Sequence, residues 1–231
     1  MNRLIEVSEK RGSRLLLSLD FVRGGLSDHL RLLSSVREYI VGVKVGVPTL
    51  LRIGPSGVGR LIEEFSDGLY FLADLKLSDI PSVVAGILEE LREVGFSGAV
   101  LHLFPMGYED VVREARRLGL ELFGVTLMSH PGARLFQENF ERLLFYAAKL
   151  DLEGVVVAAN RPNAIRRARD VLGEGYVILS PGIGAQGAKP GEGIAAGADV
   201  EIVGRAIVLS DNPREAARRI YEEQVRRLCS E

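Results

Sequence analysis

The chain has 231 residues, 47% hydrophobic and 26% charged, so it can bury a large core without disulfides or metal. Its formal charge of -2 at pH 7 excludes the broad positive field of a nucleic-acid surface, so any bound anion must be held by local donors. A single cysteine, Cys229, excludes an intrachain disulfide framework or a Cys-rich zinc site and fits a reducing cytoplasm.

The opening "MNRLIEVSEKRGSR" is too charged for a secretory signal, and no apolar run approaches membrane-spanning length, so no membrane partner is expected. From there the chain repeats one unit: a short apolar run, a polar or glycine-containing turn, then a helix-period stretch. The first run, "RLLLSLD" (14–20), ends on Asp20, and the helical stretch after it holds His29, expected at the surface. "VGVKVG" (41–46) carries Lys44, and "YFLADLK" (70–76) carries Asp74 and Lys76. Asp79 lies in the turn beyond, before a helix headed by Pro81 and continuing through "VVAGILEELREVG" (83–95). "GAVLHLF" (98–104) holds His102, and "ELFGVTL" (121–127) holds Thr126 and runs into the turn "LMSHPGA" with Ser129 and His130. The helical "NFERLLFYAAKL" (139–150) precedes "GVVVAAN" (154–160), which ends on Asn160. "YVILSPG" (176–182) opens a glycine-rich loop, "SPGIGAQGA" (180–188), with a short helix around Glu192–Ala196 before "VEIVGR" (200–205) and Arg205.

The runs are β-rich and almost continuously apolar, as parallel strands covered on both faces require. A spacing of roughly 20–30 residues leaves room for one helix each time. Eight such units predict an α/β fold, a single-domain (β/α)8 barrel over residues 1–231, with a doubly wound open sheet as the competing arrangement. In either architecture the polar residues that end the runs gather at one face.

Alternation along a strand puts Asp74 and Lys76 on the same side. Alone, they read more readily as a structural ion pair, with Asp79 as a helix cap, than as chemistry. Lys44 and Asp20 end other strands and converge on the same mouth, and an alternating Lys–Asp array is hard to explain by stability, since buried ion pairs contribute little net. The chain has 24 Arg and five Lys, yet places Lys at 44 and 76, which favours a compact proton donor over a bidentate clamp. Carboxylates flanking an amine keep it charged, fitting an acid better than a base. The second feature pairs the glycine-rich loop with Arg205, where loops after strands seven and eight of a barrel commonly hold phosphate. His102 has no acid or nucleophile partner in sequence and is expected in the core or rim. Three scattered His and one remote Cys argue against a transition-metal site.

These residues resemble the orotidine 5′-phosphate decarboxylase family. "DLKLSDIP" (74–81) matches its Asp-x-Lys-x-x-Asp-Ile-Pro signature, and "LSLD" (17–20), "VGVKVGVP" (41–48), "MSHPGA" (128–133), "SPGIGAQG" (180–187) and "VGRAI" (203–207) follow in family order. The resemblance implies decarboxylation of orotidine 5′-monophosphate to UMP without cofactor or metal, in the short archaeal-type form. It implies Lys76 as the acid that protonates C6, Asp74 beside the substrate carboxylate, Lys44 ordering Asp74 and touching ribose, and Asp20 accepting from a ribose hydroxyl. Ser129 matches the pyrimidine-edge contact. Gln186 and Arg205 match the phosphate grip, with Pro181 and Gly204 of the same motifs at the substrate. Asp79 matches a residue that serves the neighbouring subunit's site, which implies a homodimer. One alternative is the metal-dependent aldolase 3-hexulose-6-phosphate synthase, which shares the Asp-x-Lys-x-x-Asp core but carries Glu-x-Gly-Thr-Pro where this chain reads Lys44-Val45-Gly46-Val47-Pro48. Another is a non-catalytic phosphate-binding barrel.

Overall fold

The computed structural model describes residues 2–228, so Cys229 lies outside the described residues. Eight strands form a closed parallel barrel in chain order: β1 (Leu15–Ser18), β2 (Gly42–Gly46), β3 (Tyr70–Leu77), β4 (Gly98–His102), β5 (Glu121–Leu127), β6 (Gly154–Val157), β7 (Val177–Pro181) and β8 (Val200–Val203). The pairing of Leu16 with Ile202 closes the ring between β1 and β8, which rules out the open sheet. Every residue of β1, β2, β6 and β8 is buried, because the barrel interior covers one face of each strand and the helices cover the other.

The helices are α1 (Arg3–Arg11), α2 (Leu26–Val36), α3 (Val47–Phe65), α4 (Pro81–Val94), α5 (Glu109–Leu118), α6 (Arg134–Lys149), α7 (Pro162–Leu172), α8 (Glu192–Ala195), α9 (Arg205–Val208) and α10 (Pro213–Leu228). Asn2 starts α1, its side chain accepting from the Leu4 and Ile5 amides. This helix lies across the N-terminal end of the barrel, where the Arg3 amide donates to Glu121 Oε1 at 2.6 Å. The opposite end is left open for the loops that follow the strands.

His29, expected at the surface, is fully buried. It shares the inward stripe of α2 with Leu33 and Val36, and its Nδ1 lies 2.8 Å from the Gly25 carbonyl. Asp79 does not cap α4: Ile80 holds the N-cap position without a side-chain bond, Pro81 begins the helix, and Asp79 Oδ1 accepts from its neighbour's amide, Ile80 N, at 2.7 Å.

A buried carboxylate ties the end of the glycine-rich loop to the last helix. Glu201, on β8, accepts from Gly191 N at 2.9 Å, Gly193 N at 2.8 Å and Gln224 Nε2 of α10 at 2.8 Å. Gly191 has φ +81°, and a Cβ there would stand 2.5 Å from Arg227 Cγ, so the loop lands directly on α10.

Candidate active site

The open end of the barrel surrounds a cavity of about 250 Å³. Asp20, Lys44, Asp74, Lys76, Ser129, Pro181, Gln186, Gly204 and Arg205 all line it, from six different β–α units. Asp79 does not; it lies exposed beyond β3. The cavity divides into a charged wall on β1–β3, an apolar floor of Val100, Val125, Val156 and Ile202, and a polar rim formed by the loops after β5, β7 and β8.

On the charged wall, Lys44 Nζ bridges two carboxylates, in contact with Asp20 Oδ2 and 3.1 Å from Asp74 Oδ2. Lys76 Nζ pairs with the other Asp74 oxygen. The order Asp20–Lys44–Asp74–Lys76 is therefore a continuous alternating chain. Asp20 is further fixed by Gly46 N at 2.8 Å and Thr49 Oγ1 at 3.3 Å, so its oxygens are directed by β2 and the start of α3. A Cβ on Gly46 would stand 2.5 Å from Asp20 Oδ1, which explains glycine there.

Burial pulls the Lys44 ammonium down, but Asp74 and Asp20 together outweigh it and hold its pKa above the ordinary lysine value. Burial likewise pushes Asp74 up, and Lys44 with Lys76 overrides that push, leaving its carboxyl below the usual range. The network is thus self-consistent in its charged form.

Asp74 and Lys76 do meet on one side, but not by simple strand alternation. Pairing between β3 and β4 slips between Ala73 and Leu77, and Lys76 has φ +52°. A left-handed backbone at a non-glycine residue costs about 1–2 kcal/mol. This irregularity turns the lysine toward the cavity, where its side chain stays 34% exposed against 9% for Lys44. Of the two lysines, Lys76 is the one that a ligand can reach.

At the rim, Ser129 Oγ donates to Gln186 Oε1 at 2.8 Å, joining the loops after β5 and β7. The loop itself folds on Gly182, Gly184 and Gly187, all at positive φ, with Gly187 N bonded to Gly184 O and Ala188 N to Gly182 O. Arg205, at the start of α9, is exposed to the cavity. His102 is half-buried at the end of β4, its ring against Phe104 and Phe136; burial, assisted by Lys76, lowers its pKa. The sequence expectation of a core or rim place for it holds.

Two residues were not singled out for the site. Asn160 Nδ2 donates to both the Ser129 carbonyl at 3.0 Å and the Gln186 carbonyl at 3.1 Å, tying both rim loops to the end of β6. Its place at a strand end was the only signal. Phe21 lines the cavity beside Asp20, and an apolar residue just past a strand end carried no signal by itself.

A closed barrel with a reachable lysine in a buried charge chain, an apolar floor and a glycine-rich loop facing an arginine is an enzyme of the (β/α)8 class. The chain belongs to the Orotidine 5′-phosphate decarboxylase / HUMPS family, whose sequence profile matches residues 13–220. It is 40% identical over 210 residues to the orotidine 5′-phosphate decarboxylase of Pyrococcus horikoshii, spanning 90% of this chain and 98% of that protein. The Thermococcus kodakarensis enzyme of the same name is 40% identical over 214 residues, with 91% and 96% covered. Among solved structures, the Pyrococcus horikoshii enzyme superposes with a TM-score of 0.81 at 38% identity, covering 90% of this chain and 98% of that one. The Methanocaldococcus jannaschii enzyme, complexed with inhibitor BMP, also gives 0.81, at 30% identity, with 91% and 97% covered. The relatives are carboxy-lyases, and so is this chain.

Proposed function

We propose that this enzyme decarboxylates orotidine 5′-monophosphate to UMP and CO2, in the cytoplasm, as a step of pyrimidine nucleotide synthesis. The observation that carries this is the alternating Asp20–Lys44–Asp74–Lys76 chain, set across the cavity from the Gln186 loop and Arg205. The phosphate is gripped at Gln186 and Arg205, with Pro181 and Gly204 against the ligand. The ribose hydroxyls lie at Asp20 and Lys44, and Ser129 meets the pyrimidine edge. This places C6 and its carboxylate at Asp74 and Lys76.

The C6–carboxylate bond breaks, CO2 departs, and the electron pair stays on C6. No carbonyl adjacent to C6 delocalises that pair, so a fixed positive charge must stabilise it. The Lys76 ammonium does so and then transfers its proton to C6, giving UMP, after which solvent reprotonates the amine. Asp74, kept ionised by two lysines, sits beside the substrate carboxylate and disfavours the ground state. Closing the 180–188 loop over the phosphate lets remote binding energy contribute to this step. In the aldolase reading a divalent metal would need an acidic ligand where Lys44 stands, and an ammonium there repels a cation.

The active form is a homodimer, with Asp79 serving the neighbouring site. Supporting this, Asp79 does not line its own cavity, and large apolar side chains lie exposed on the segments that follow β2, β3 and β4: Leu51 at 81% exposure and Ile80 at 61%, with Val47, Val83 and Phe104. The direct test follows the absorbance of orotidine 5′-monophosphate with purified protein, with and without EDTA. Turnover insensitive to the chelator is expected; no turnover of this substrate refutes the reading.

A further inference from the structure

No carboxylate pairs with Arg205 among the described residues; instead its guanidinium carbon lies 5.5 Å from the centroid of the Phe21 ring. Phe21 directly follows Asp20, borders the cavity and stays 39% exposed. A Cβ on Gly204 would stand 3.1 Å from Phe21 Cδ2 and Cε2 and 3.3 Å from Ser18 Cβ, so the ring is fitted closely against the exit of β8. A phenylalanine left this open to water gains only part of its burial free energy, and its place calls for another cause.

We propose that Phe21 is a positioning residue whose ring face holds the Arg205 guanidinium ready for a phosphate dianion. The ring quadrupole attracts the cation without neutralising it, and it accepts none of the in-plane N–H bonds. Those donors stay free for the planar, charge-assisted contacts that arginine makes with phosphate oxygens. An Asp or Glu in the same place would compete for these donors. Because Phe21 adjoins Asp20, one short segment after β1 sets both ends of the ligand grip, the hydroxyl acceptor and the orientation of the anion-binding cation. The bearer of the phosphate rests on the function proposed above; the pairing itself does not.

The test is a Phe21→Tyr, Phe21→Trp and Phe21→Leu series, with calorimetric affinities for inorganic phosphate and UMP, and kcat/KM for orotidine 5′-monophosphate and orotidine. Leucine keeps the apolar bulk and removes the ring face. It should weaken phosphate and UMP binding about fivefold, while tyrosine and tryptophan stay within about twofold of the native protein. With Phe21→Leu, kcat/KM should fall further for the phosphorylated substrate than for orotidine. Leucine binding phosphate as well as phenylalanine, or tyrosine failing as badly as leucine, overturns the proposal. A native protein that does not turn over orotidine 5′-monophosphate, yet shows the aromatic-over-leucine order for phosphate, overturns the proposed reaction and supports the pairing.

Discussion

Replacing Lys44 with methionine keeps the apolar stem and deletes the charge that joins two buried carboxylates. The side chains of Lys44, Asp74 and Asp20 are 9%, 11% and 16% exposed, so their ion pairs are poorly screened. Removing one partner of a buried pair costs about 3–5 kcal/mol. Here Asp74 keeps Lys76, and Asp20 keeps the Gly46 amide and the Thr49 hydroxyl, which places the loss at the lower end, about 3 kcal/mol. At about 2–4 °C per kcal/mol for a chain of this size, Tm should fall by about 6–12 °C at pH 7.

The same reasoning fixes the pH dependence. Asp74 has a folded pKa below its unfolded one, so its contribution is present above the unfolded carboxylate range and is lost as pH falls through the folded value. Acid therefore takes more from the native protein, where a protonated Asp74 leaves Lys44 less compensated, than from the variant. The stability gap should narrow below about pH 4. Guanidinium titrations at several pH values, with thermal scans beside them, measure it. A Tm loss under about 2 °C, or a gap unchanged between neutral and acid pH, would refute the idea that Lys44 holds a coupled network together.

Lys76→Ala should abolish decarboxylation while UMP binding stays measurable by calorimetry; a variant retaining a substantial fraction of native kcat removes Lys76 from the role of acid. Asp79→Ala and Lys76→Ala homodimers should each be strongly impaired, and mixing them should restore roughly a quarter of native activity, because half the dimers are hybrids with one intact site of two. A mixture no more active than its parents, with subunit exchange demonstrated, would put Asp79 to work within its own chain. Arg205→Ala should cost a few kcal/mol in kcat/KM for the phosphorylated substrate and much less for the nucleoside; equal losses on both would place Arg205 away from the phosphate.

The barrel was legible because its strands are covered on both faces, which writes each one as an almost unbroken apolar run that a single polar residue interrupts at the end. Lys44, Asp74 and Arg205 stood out for that reason. What escaped depended on contacts that no local pattern carries. The approach of Lys76 to Asp74 was expected from a two-residue period, yet the chain achieves it through a slipped register and a left-handed residue. His29 falls at i with Leu33 and Val36 at i+4 and i+7, so the helical period did mark it as inward, against the surface place expected for it. Asn160 works by bonding two carbonyls from distant loops, and backbone carbonyls have no identity in a sequence.

The Glu201 clasp also bears on the order in which the protein becomes complete. The charged wall is built from residues 20 to 76, early in synthesis, whereas the loop carrying Gln186 finds its footing through Glu201 on Gln224, four residues before the last described position. A growing chain can therefore assemble its lysine–aspartate chain before the glycine-rich loop has its landing on α10. Protease protection of the 182–190 segment on stalled chains should arise only once α10 is free to dock, and protection at shorter lengths would show that the loop stands without it. On the expected outcome α10, which gives no residue to the cavity lining, is the piece that completes the loop beside it.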